Sequence, residues 1–369
     1  MKEPIRVLHV LQRMEAGGTQ ALLMNIYRNI DRTKVQFDFL VEYPDKQFYD
    51  DEIIKLGGKI YYTNVRKDYN IIKFKNQLKK ILKSDINYKI IHVHAYTIGY
   101  FVLKTAKKCG VPIRIAHSHS NSMTKNLKTP IKKILRKLYT KYATDLFACS
   151  NEAGKFLYGD KEFKVLKNAI DSQKFIFSQD TREKVRKKFG LSDSFVVGHV
   201  GRFKPEKNQS FLIDVFNEIK MKKKNAKLIL VGDGPQENNI RQKVLEHKLE
   251  NDVIFLKNRN DVNEIYMGMD VFVFPSLYEG LGIVAIEAQA TGLPVLASNR
   301  IPAETFISPI IKKLDINDNP IKWADLAISI KPNKRENMRK FIIEYKYDII
   351  DCCKNIQEYY INKYKKYNQ

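Results

Sequence analysis

Short apolar, β-branched runs alternate with segments of helical periodicity along this chain of 369 residues, and the whole alternation occurs twice. Strands that are apolar on both faces are typical of parallel sheets covered by helices on both sides. The pattern therefore predicts an α/β protein with two doubly wound, Rossmann-like domains facing each other across a cleft. The predicted strands are residues 5–11, 35–41, 59–63, 90–95, 113–118 and 146–150, then 194–201, 226–232, 253–257, 270–276 and 294–298.

The length of the chain also favours two domains, since a single core rarely grows to this size. We place the first domain at residues 1–168 and the second at 169–347, and residues 348–369 have one continuous helical pattern. In doubly wound sheets, ligands bind beyond the carboxyl ends of the strands. Residues that directly follow strands are therefore the candidates for a site.

Membrane-spanning and secreted proteins are both disfavoured. No apolar run reaches the roughly 18 residues of a spanning helix. The N-terminal apolar run is flanked by acids and ended by Gly17 and Gly18, so it is predicted to be a first strand and turn, not a signal peptide. The four cysteines do not follow the spacing of a disulfide framework or a metal motif, which favours reduced thiols in the cytoplasm.

Positive charge is concentrated in the first half of the chain. Residues 1–170 contain 32 Lys and Arg against 15 Asp and Glu, which gives +17 of the total net charge of +24. Such an excess suits anionic lipid, nucleic acid or a phosphorylated ligand. A Lys-rich composition along the whole chain explains the excess as well.

The most basic segment, residues 125–145, has seven Lys and Arg and no acid before Asp145. On a helix its apolar positions form one face and its basic positions flank that face, as in helices that bind anionic membrane surfaces. A surface helix packed on the core would show the same pattern. The predicted membrane contacts are Lys132, Lys133, Arg136, Lys137 and Lys141.

Three loops that follow strands contain glycine. Gly17-Gly18-Thr19 allows backbone N–H groups to approach an anion, but its spacing disfavours a dinucleotide site. The loop 201–208 contains Arg202 and Lys207. These two cations predict either a diphosphate-binding site or an ordinary charged loop. The sequence VGDGP at 231–235 predicts either a turn with Asp233 as a helix cap or a ligand contact.

The segment 274–295 is the most informative. It leads from a strand through a loop into a helix, whose first N–H groups can bind phosphate oxygens. Those N–H groups lie near Gly280, Leu281, Gly282 and Ile283. Glu279 precedes the helix and Glu287 lies inside it, roughly 12 Å further on if both are helical. Because carboxylates accept hydrogen bonds from vicinal hydroxyls, the two acids predict two ends of a ligand clamp, although Glu287 also suits a solvated helix face.

Histidines occur in two pairs with the spacing H-x-H. His117 and His119 stand at the edge where a site is expected, whereas His92 and His94 are predicted to be structural strand residues. No pair combines with a third ligand at metal spacing, and the chain has no D-x-D motif of the kind that holds a metal on a diphosphate. We therefore expect no metal and no cofactor, with the diphosphate charge met by the two cations and a helix dipole.

In their order along the chain, these segments resemble family 4 retaining glycosyltransferases of the GT-B fold, and among them bacterial enzymes of capsular and exopolysaccharide biosynthesis. The resemblance covers nearly the whole chain, and Gln20 departs from it by standing where the family often has Glu. The segments that carry it are AHSH at 116–119, GRFKPEKN at 201–208, VGDGP at 231–235 and the run 270–295 with its two glutamates.

The resemblance implies roles for individual residues. The second domain would bind a nucleotide-sugar donor, with Glu279 on the sugar and Glu287 on the ribose. The first domain would bind the acceptor, place Gly18 against the phosphates, and be completed by the C-terminal helix. His119, or alternatively His117, would be the active-site histidine.

The implied reaction is metal-independent transfer of a hexosyl unit, with retention, from a nucleotide sugar (expected to be a UDP sugar) to a saccharide acceptor that is expected to be lipid-linked. An acceptor hydroxyl would attack from the face of the leaving group and lose its proton to a donor phosphate oxygen. We expect the protein in the cytoplasm, held peripherally at the inner face of the membrane, without a nucleic-acid partner. A sugar-nucleotide epimerase of the same fold and a basic membrane-binding scaffold are the alternatives.

Overall fold

The structure is a computed structural model that describes residues 3–15, 17–119, 135, 138–330 and 335–368. Its contacts divide the chain into two units. The first contains Met1–Ile170 together with Tyr347–Gln369, and the second contains Asp171–Lys346. Each unit is built around one parallel sheet, so the two Rossmann-like domains predicted from the sequence are confirmed.

A seven-stranded parallel sheet forms the centre of the first unit. Its strands are β1 Ile5–Leu11, β2 Val35–Val41, β3 Ile60–Tyr62, β4 Ile90–Val93, β5 Ile113–Ser118, β6 Asp145–Ala148 and β7 Lys164–Val165. Their order is β3-β2-β1-β4-β5-β6-β7. The order reverses between β1 and β4, and in doubly wound sheets this reversal is where ligands bind.

The second unit has a six-stranded parallel sheet. Its strands are β8 Phe195–Val200, β9 Ala226–Val231, β10 Val253–Leu256, β11 Val271–Phe274, β12 Val295–Ser298 and β13 Ile311–Leu314. They lie in the order β10-β9-β8-β11-β12-β13. Here the reversal falls between β8 and β11.

Helices cover both sheets. In the first unit they are α1 Gly18–Asn29, α2 Asp50–Lys55, α3 Val65–Asp68, α4 Ile71–Leu82, α5 Tyr96–Lys108 and α6 Asn151–Tyr158. In the second unit they are α7 Gln179–Lys188, α8 Gln209–Lys222, α9 Glu237–Glu246, α10 Val262–Gly268, α11 Ile283–Ala290, α12 Pro320–Ser329 and α13 Arg339–Glu344. The next helix, α14 Ile349–Asn368, returns to the first unit and packs beside α1.

Two observed strands are not predicted from the sequence. β7 has only two residues, both exposed, and β13 has the sequence Ile-Lys-Lys-Leu with both lysines exposed. Both strands lie at the edges of their sheets. An edge strand that is open to water lacks the apolar pattern by which buried strands are recognised.

The basic segment predicted to contact a membrane falls largely outside the described residues. Lys132, Lys133, Arg136 and Lys137 are among the residues that are not described. Lys141 is described, and it is an exposed residue in the 3-10 turn Thr140–Tyr142. Among the helices that the structure describes, none combines the length and the apolar character needed to cross a bilayer.

Candidate functional site

The predicted site residues follow strands at the reversal of each sheet or, for His119, the next strand along. In the second unit, Arg202 and Lys207 come after β8, and Glu279 comes after the neighbouring strand β11. In the first unit, Gly18 follows β1 and His119 follows β5, one strand beyond β4. Parallel strands end at the same edge, so within each unit the topology brings these loops together.

An ion pair joins the loops after β8 and β11. The Nζ atom of Lys207 lies 2.5 Å from Oε1 of Glu279, and the two side chains are only 19% and 10% exposed. The same loops are tied by a backbone bond in which N–H of Leu277 donates to the carbonyl of Glu206 at 2.8 Å. From the sequence, Lys207 and Glu279 are expected to bind different parts of a ligand, and a contact between them is not predicted.

Glycines allow the loops after β8 and β9 to pack backbone against backbone. A Cβ atom on Gly232 would lie 2.3 Å from the carbonyl oxygen of Gly201, and one on Gly234 would lie 2.4 Å from that of Phe203. The φ angles of Gly232 and Gly234, +138° and +150°, are also rare for residues with a side chain. The VGDGP sequence therefore has a structural role, which is to support the loop that carries Arg202.

Arg202 and Asp233, one from each of these loops, have different surroundings. Arg202 is exposed, and its guanidinium makes no hydrogen bond or ion pair within the described part of the chain. The carboxylate of Asp233 accepts a hydrogen bond from Nδ2 of Asn258 at 2.6 Å. The prediction that Asp233 caps a helix is wrong, because Gln236 holds the N-cap position of α9.

The loop after β11 turns into α11 at Gly282. This N-cap residue has φ +81°, a conformation that favours glycine, and a Cβ atom there would lie 3.1 Å from Cε1 of Phe274. Because the helix begins only at Ile283, Glu279 lies in the loop and the spacing of roughly 12 Å expected for a continuous helix does not apply. The first N–H groups of α11 have no acceptor within the helix. Leu281 contributes a buried side chain to the core.

Glu287 lies on the second turn of α11 and is partly buried. The hydroxyl of Tyr266 donates a hydrogen bond to its Oε2 atom at 3.0 Å. Burial raises the pKa of Glu287 to about 7, and the bond from Tyr266 opposes part of that rise. Glu287 is therefore not a solvated helix residue, and near neutral pH its carboxyl changes protonation state readily.

In the first unit, α1 begins at Gly18, directly after the loop that follows β1. The amide of Gln20 reaches back and donates to the carbonyl of Arg13 at 2.7 Å. This bond closes the loop and explains how Gln serves at the position where the resembling family often has Glu. The first N–H groups of α1, which have no acceptor within the helix, lie at the reversal of the first sheet.

Five histidines lie on one face of the first sheet, three of them buried and two partly buried. Alternate residues of a strand point to the same face, so His92 and His94 project together, as do His117 and His119. His9 lies beside them because it pairs in register with His92. We call these five residues the histidine cluster.

Two lines of hydrogen bonds connect the histidine cluster. In one, Nδ1 of His9 lies 3.0 Å from Nε2 of His94, and Nδ1 of His94 lies 2.8 Å from Nε2 of His119. In the other, the hydroxyl of Tyr360 on α14 lies 2.7 Å from Nδ1 of His92, whose Nε2 lies 3.0 Å from Nδ1 of His117. Burial lowers the pKa of all five imidazoles, so the cluster is neutral at physiological pH.

The histidine cluster corrects one sequence prediction. Candidate ligand atoms of His94, His117 and His119 lie within 4.8 Å of one another, so the statement that no histidine pair has a third ligand at metal spacing is wrong. The sequence contains the pattern that could have predicted this cluster, namely two H-x-H motifs, and the strands that carry them are neighbours in the sheet. As for the two candidate active-site histidines, His119 is partly exposed after the end of β5, whereas His117 is buried within the strand.

Two family models match the chain, one on each half. The model described as Glycosyltransferase Family 4 matches residues 16–174, and the model described as Glycosyl transferases group 1 matches residues 181–348. Among curated proteins, the chain is 33% identical to the putative glycosyltransferase EpsF of Bacillus subtilis (strain 168), with 93% of each chain covered.

A second relative and a solved structure extend the comparison. The chain is 29% identical to the UDP-Gal:alpha-D-GlcNAc-diphosphoundecaprenol alpha-1,3-galactosyltransferase of Escherichia coli, over 75% of this chain and 78% of that protein. HepE of Anabaena, solved in complex with UDP and glucose, matches the structure with a TM-score of 0.80 at 20% identity, covering 97% of this chain and 100% of HepE. The two family models and the relative that is matched over 93% of its length show that the chain belongs to the family 4 glycosyltransferases, and its structure has the GT-B fold.

Proposed function

We propose that this glycosyltransferase moves a hexosyl unit from a UDP sugar to a lipid-linked saccharide, with retention of configuration, during capsular or exopolysaccharide synthesis. The main support for the donor-binding part of this proposal is the arrangement of polar groups at the reversal of the second sheet. An exposed arginine, a shielded Lys–Glu pair, a helix N-terminus and a carboxyl with a raised pKa follow β8 and β11 there. These are groups that bind phosphate charge and hydroxyls.

The diphosphate is assigned to Arg202, Lys207 and the start of α11. Arg202 is exposed, and its planar guanidinium suits a phosphate oxygen pair. An ammonium has three N–H donors, so Lys207 can hold Glu279 with one and a phosphate oxygen with another. The helix N-terminus adds N–H groups and a partial positive charge. Fixed positive charge of this kind would stabilise the leaving nucleoside diphosphate without a metal on the phosphates.

The two glutamates are assigned to the two sugars of the donor. Glu279 is held in place by Lys207 and would accept hydrogen bonds from hydroxyls of the transferred sugar. Glu287 would accept from the ribose hydroxyls. Because those hydroxyls donate to the ionised carboxylate, ribose binding would lower the pKa of Glu287 from about 7 and release a proton. The UDP bound to HepE supports the choice of nucleotide for this chain.

The acceptor half is proposed for the first unit, with His119 at the sheet edge. Gly18, at the start of α1, is proposed to approach the donor phosphates through its backbone. The name of the Escherichia coli relative states transfer to a sugar on diphosphoundecaprenol and an alpha linkage, and this supports a lipid-linked acceptor and retention here. An acceptor hydroxyl would attack the anomeric carbon from the face of the leaving group, with its proton passing to a phosphate oxygen. We also propose peripheral attachment to an anionic membrane, supported by the net charge of +17 in residues 1–170.

The test is a transfer assay with purified protein. UDP-galactose, UDP-glucose and UDP-N-acetylglucosamine are each incubated with a diphosphoundecaprenol-linked monosaccharide, and the product linkage is determined by NMR. We expect one donor to give an alpha-linked disaccharide on the lipid. A beta linkage would refute retention, and complete conversion of a nucleotide sugar without acceptor would indicate an epimerase instead.

A further inference from the structure

Three residues of the histidine cluster form a row that ends at the candidate active-site histidine. Nδ1 of His9 lies 3.0 Å from Nε2 of His94, and Nδ1 of His94 lies 2.8 Å from Nε2 of His119. We call these three residues the histidine row. Each of its two hydrogen bonds contains one proton, which either ring of the pair can supply. Because His94 takes part in both bonds, the position of one proton decides the position of the other.

The histidine row has only two consistent arrangements of protons, because a neutral imidazole has one N–H donor and one acceptor nitrogen. Burial lowers the pKa of all three residues, which keeps their rings neutral. In the outward arrangement, His9 donates to His94, His94 donates to His119, and the last proton is on Nδ1 of His119. In the inward arrangement both bonds are reversed, and the last proton is on Nε2 of His9.

The surroundings of the two ends distinguish these arrangements. Among the residues that the structure describes, neither Nε2 of His9 nor Nδ1 of His119 has a hydrogen-bond partner, and both atoms are buried. His9 is only 1% exposed, and its ring centre lies 4.2 Å from that of Phe37 and 5.6 Å from that of Phe39. The ring of His119 is partly exposed at the carboxyl edge of the sheet. Since buried N–H groups without an acceptor are rarer in proteins than acceptors without a donor, the outward arrangement is favoured.

The outward arrangement commits both nitrogens of His119. Its Nε2 atom accepts a hydrogen bond from His94, and its Nδ1 atom already has a proton. A general base needs an unprotonated atom within hydrogen-bond reach of the group that it deprotonates. His119 has none in this arrangement, so it is excluded as the base for an acceptor hydroxyl. It is instead a hydrogen-bond donor, and the oxygen atoms of a sugar are suitable acceptors.

We propose that His9 and His94 are positioning residues, which keep the proton of His119 on Nδ1 so that His119 donates a hydrogen bond to an oxygen of the bound saccharide and does not act as a base. The saccharide in this inference rests on the proposed function, whereas the position of the proton does not. In histidine sites, the hydrogen bond at one ring nitrogen determines the protonation of the other. Here that control extends over two further rings.

The experiment reads the tautomer of His119 by NMR in the full-length chain with ¹⁵N-labelled histidine, and His119→Gln identifies the signals of that ring. In the wild type at pH 8 we expect the proton on Nδ1. His9→Asn keeps an N–H donor toward His94, and its spectrum is expected to show the same tautomer. His9→Asp has nearly the same shape, but its carboxylate only accepts, so it is expected to reverse the row and move the proton of His119 to Nε2.

The matched control is His92→Phe, because His92 is equally buried but bonds to Tyr360 and His117 instead of to the row. It is expected to leave the tautomer of His119 unchanged.

The transfer assay adds a second readout. We expect kcat/KM to be about 10-fold lower in His9→Asp than in His9→Asn, the effect of one hydrogen bond. A wild-type proton on Nε2 of His119, or one tautomer in both variants at position 9, would overturn the proposal. The wild-type spectrum decides the question if a variant fails to fold. A wild type that transfers no sugar would refute the proposed function and leave the tautomer result intact.

Discussion

The ammonium of Lys207 and the carboxylate of Glu279 meet at 2.5 Å although they belong to loops that follow two different strands. Their side chains are mostly shielded from water, so each charge depends on the other. The pair therefore fixes the position of Glu279 at the edge of the sheet where the donor sugar is proposed to lie. Removing either partner leaves a shielded charge that has lost this ion pair.

The first prediction concerns this pair. Lys207→Met and Glu279→Gln are each expected to lower kcat/KM by roughly 100-fold, since a charged hydrogen bond contributes about 1.5–3 kcal/mol. The double variant is expected to lose much less than the product of the two effects, because the second change removes a group that the first has already displaced. Steady-state kinetics with the donor varied measures all three. Lys224→Met, at an exposed lysine of the same unit, serves as the control, and strictly multiplicative losses would contradict the coupling.

A second prediction follows from the carboxyl of Glu287. Its pKa in the folded protein is raised to about 7, above the ordinary value of 4.5. Between these pH values the unfolded chain is ionised while the folded one holds a proton, so this group makes the free energy of unfolding fall as pH rises from about 5 to 7. Glu287→Gln removes that dependence. Its stability relative to wild type is expected to increase over this range in urea unfolding at pH 5, 6, 7 and 8, and a constant difference would show that Glu287 does not titrate there.

The third prediction concerns backbone contact between the loops after β8 and β9. Gly234→Ala places a Cβ atom 2.4 Å from the carbonyl oxygen of Phe203 at φ +150°, and is expected to destabilise the second unit by about 1–3 kcal/mol. Gly190→Ala is the matched control, because Gly190 also has a positive φ but no atom within 4 Å of the added methyl group. Thermal unfolding compares the two. Equal losses would mean that backbone conformation alone, without the steric contact, determines the cost.

The fourth prediction tests membrane attachment. Replacing Lys132, Lys133, Arg136 and Lys137 by Gln is expected to release the protein from vesicles that contain phosphatidylglycerol, with a loss of about 1 kcal/mol per charge. Co-sedimentation at low and high salt provides the measurement, and salt is expected to weaken binding of the wild type. A variant with four lysines of the second unit changed to Gln (Lys222, Lys223, Lys224 and Lys248) has the same net charge and is expected to stay bound. Loss of binding in both variants would point to net charge rather than to this segment.

Much of the fold is predictable from the sequence because buried parallel strands are apolar on both faces. The predicted strands 5–11, 35–41 and 113–118 have the same ends in the structure. β13 is not predicted, because its two lysines face water at the sheet edge. The helix predicted within residues 274–295 is also observed, as α11, and its N-cap Gly282 has a positive φ that favours glycine.

The site is less predictable, because its contacts depend on which strands become neighbours. Lys207 and Glu279 are 72 positions apart, and only the adjacency of β8 and β11 brings them together. The histidine cluster shows the same limit. The spacing of His117 and His119 predicts that they share a face, but their contact with His94 requires β5 to lie beside β4. Strand order is a property of the whole chain that no single motif contains.

The bond between Tyr360 and His92 spans 268 positions, so the first unit can be completed only after the last helix has been synthesised. Synthesis on the ribosome runs from β1 to α14, so the strands that carry the histidines emerge first and the helix that covers them emerges after the whole second unit. Until then, one apolar face of the first sheet lacks the side chains of Ile349, Ile356 and Tyr360, which are buried against it in the finished protein. Such an exposed face invites aggregation. The face of the first sheet that α14 covers must therefore be protected from aggregation until α14 packs on it.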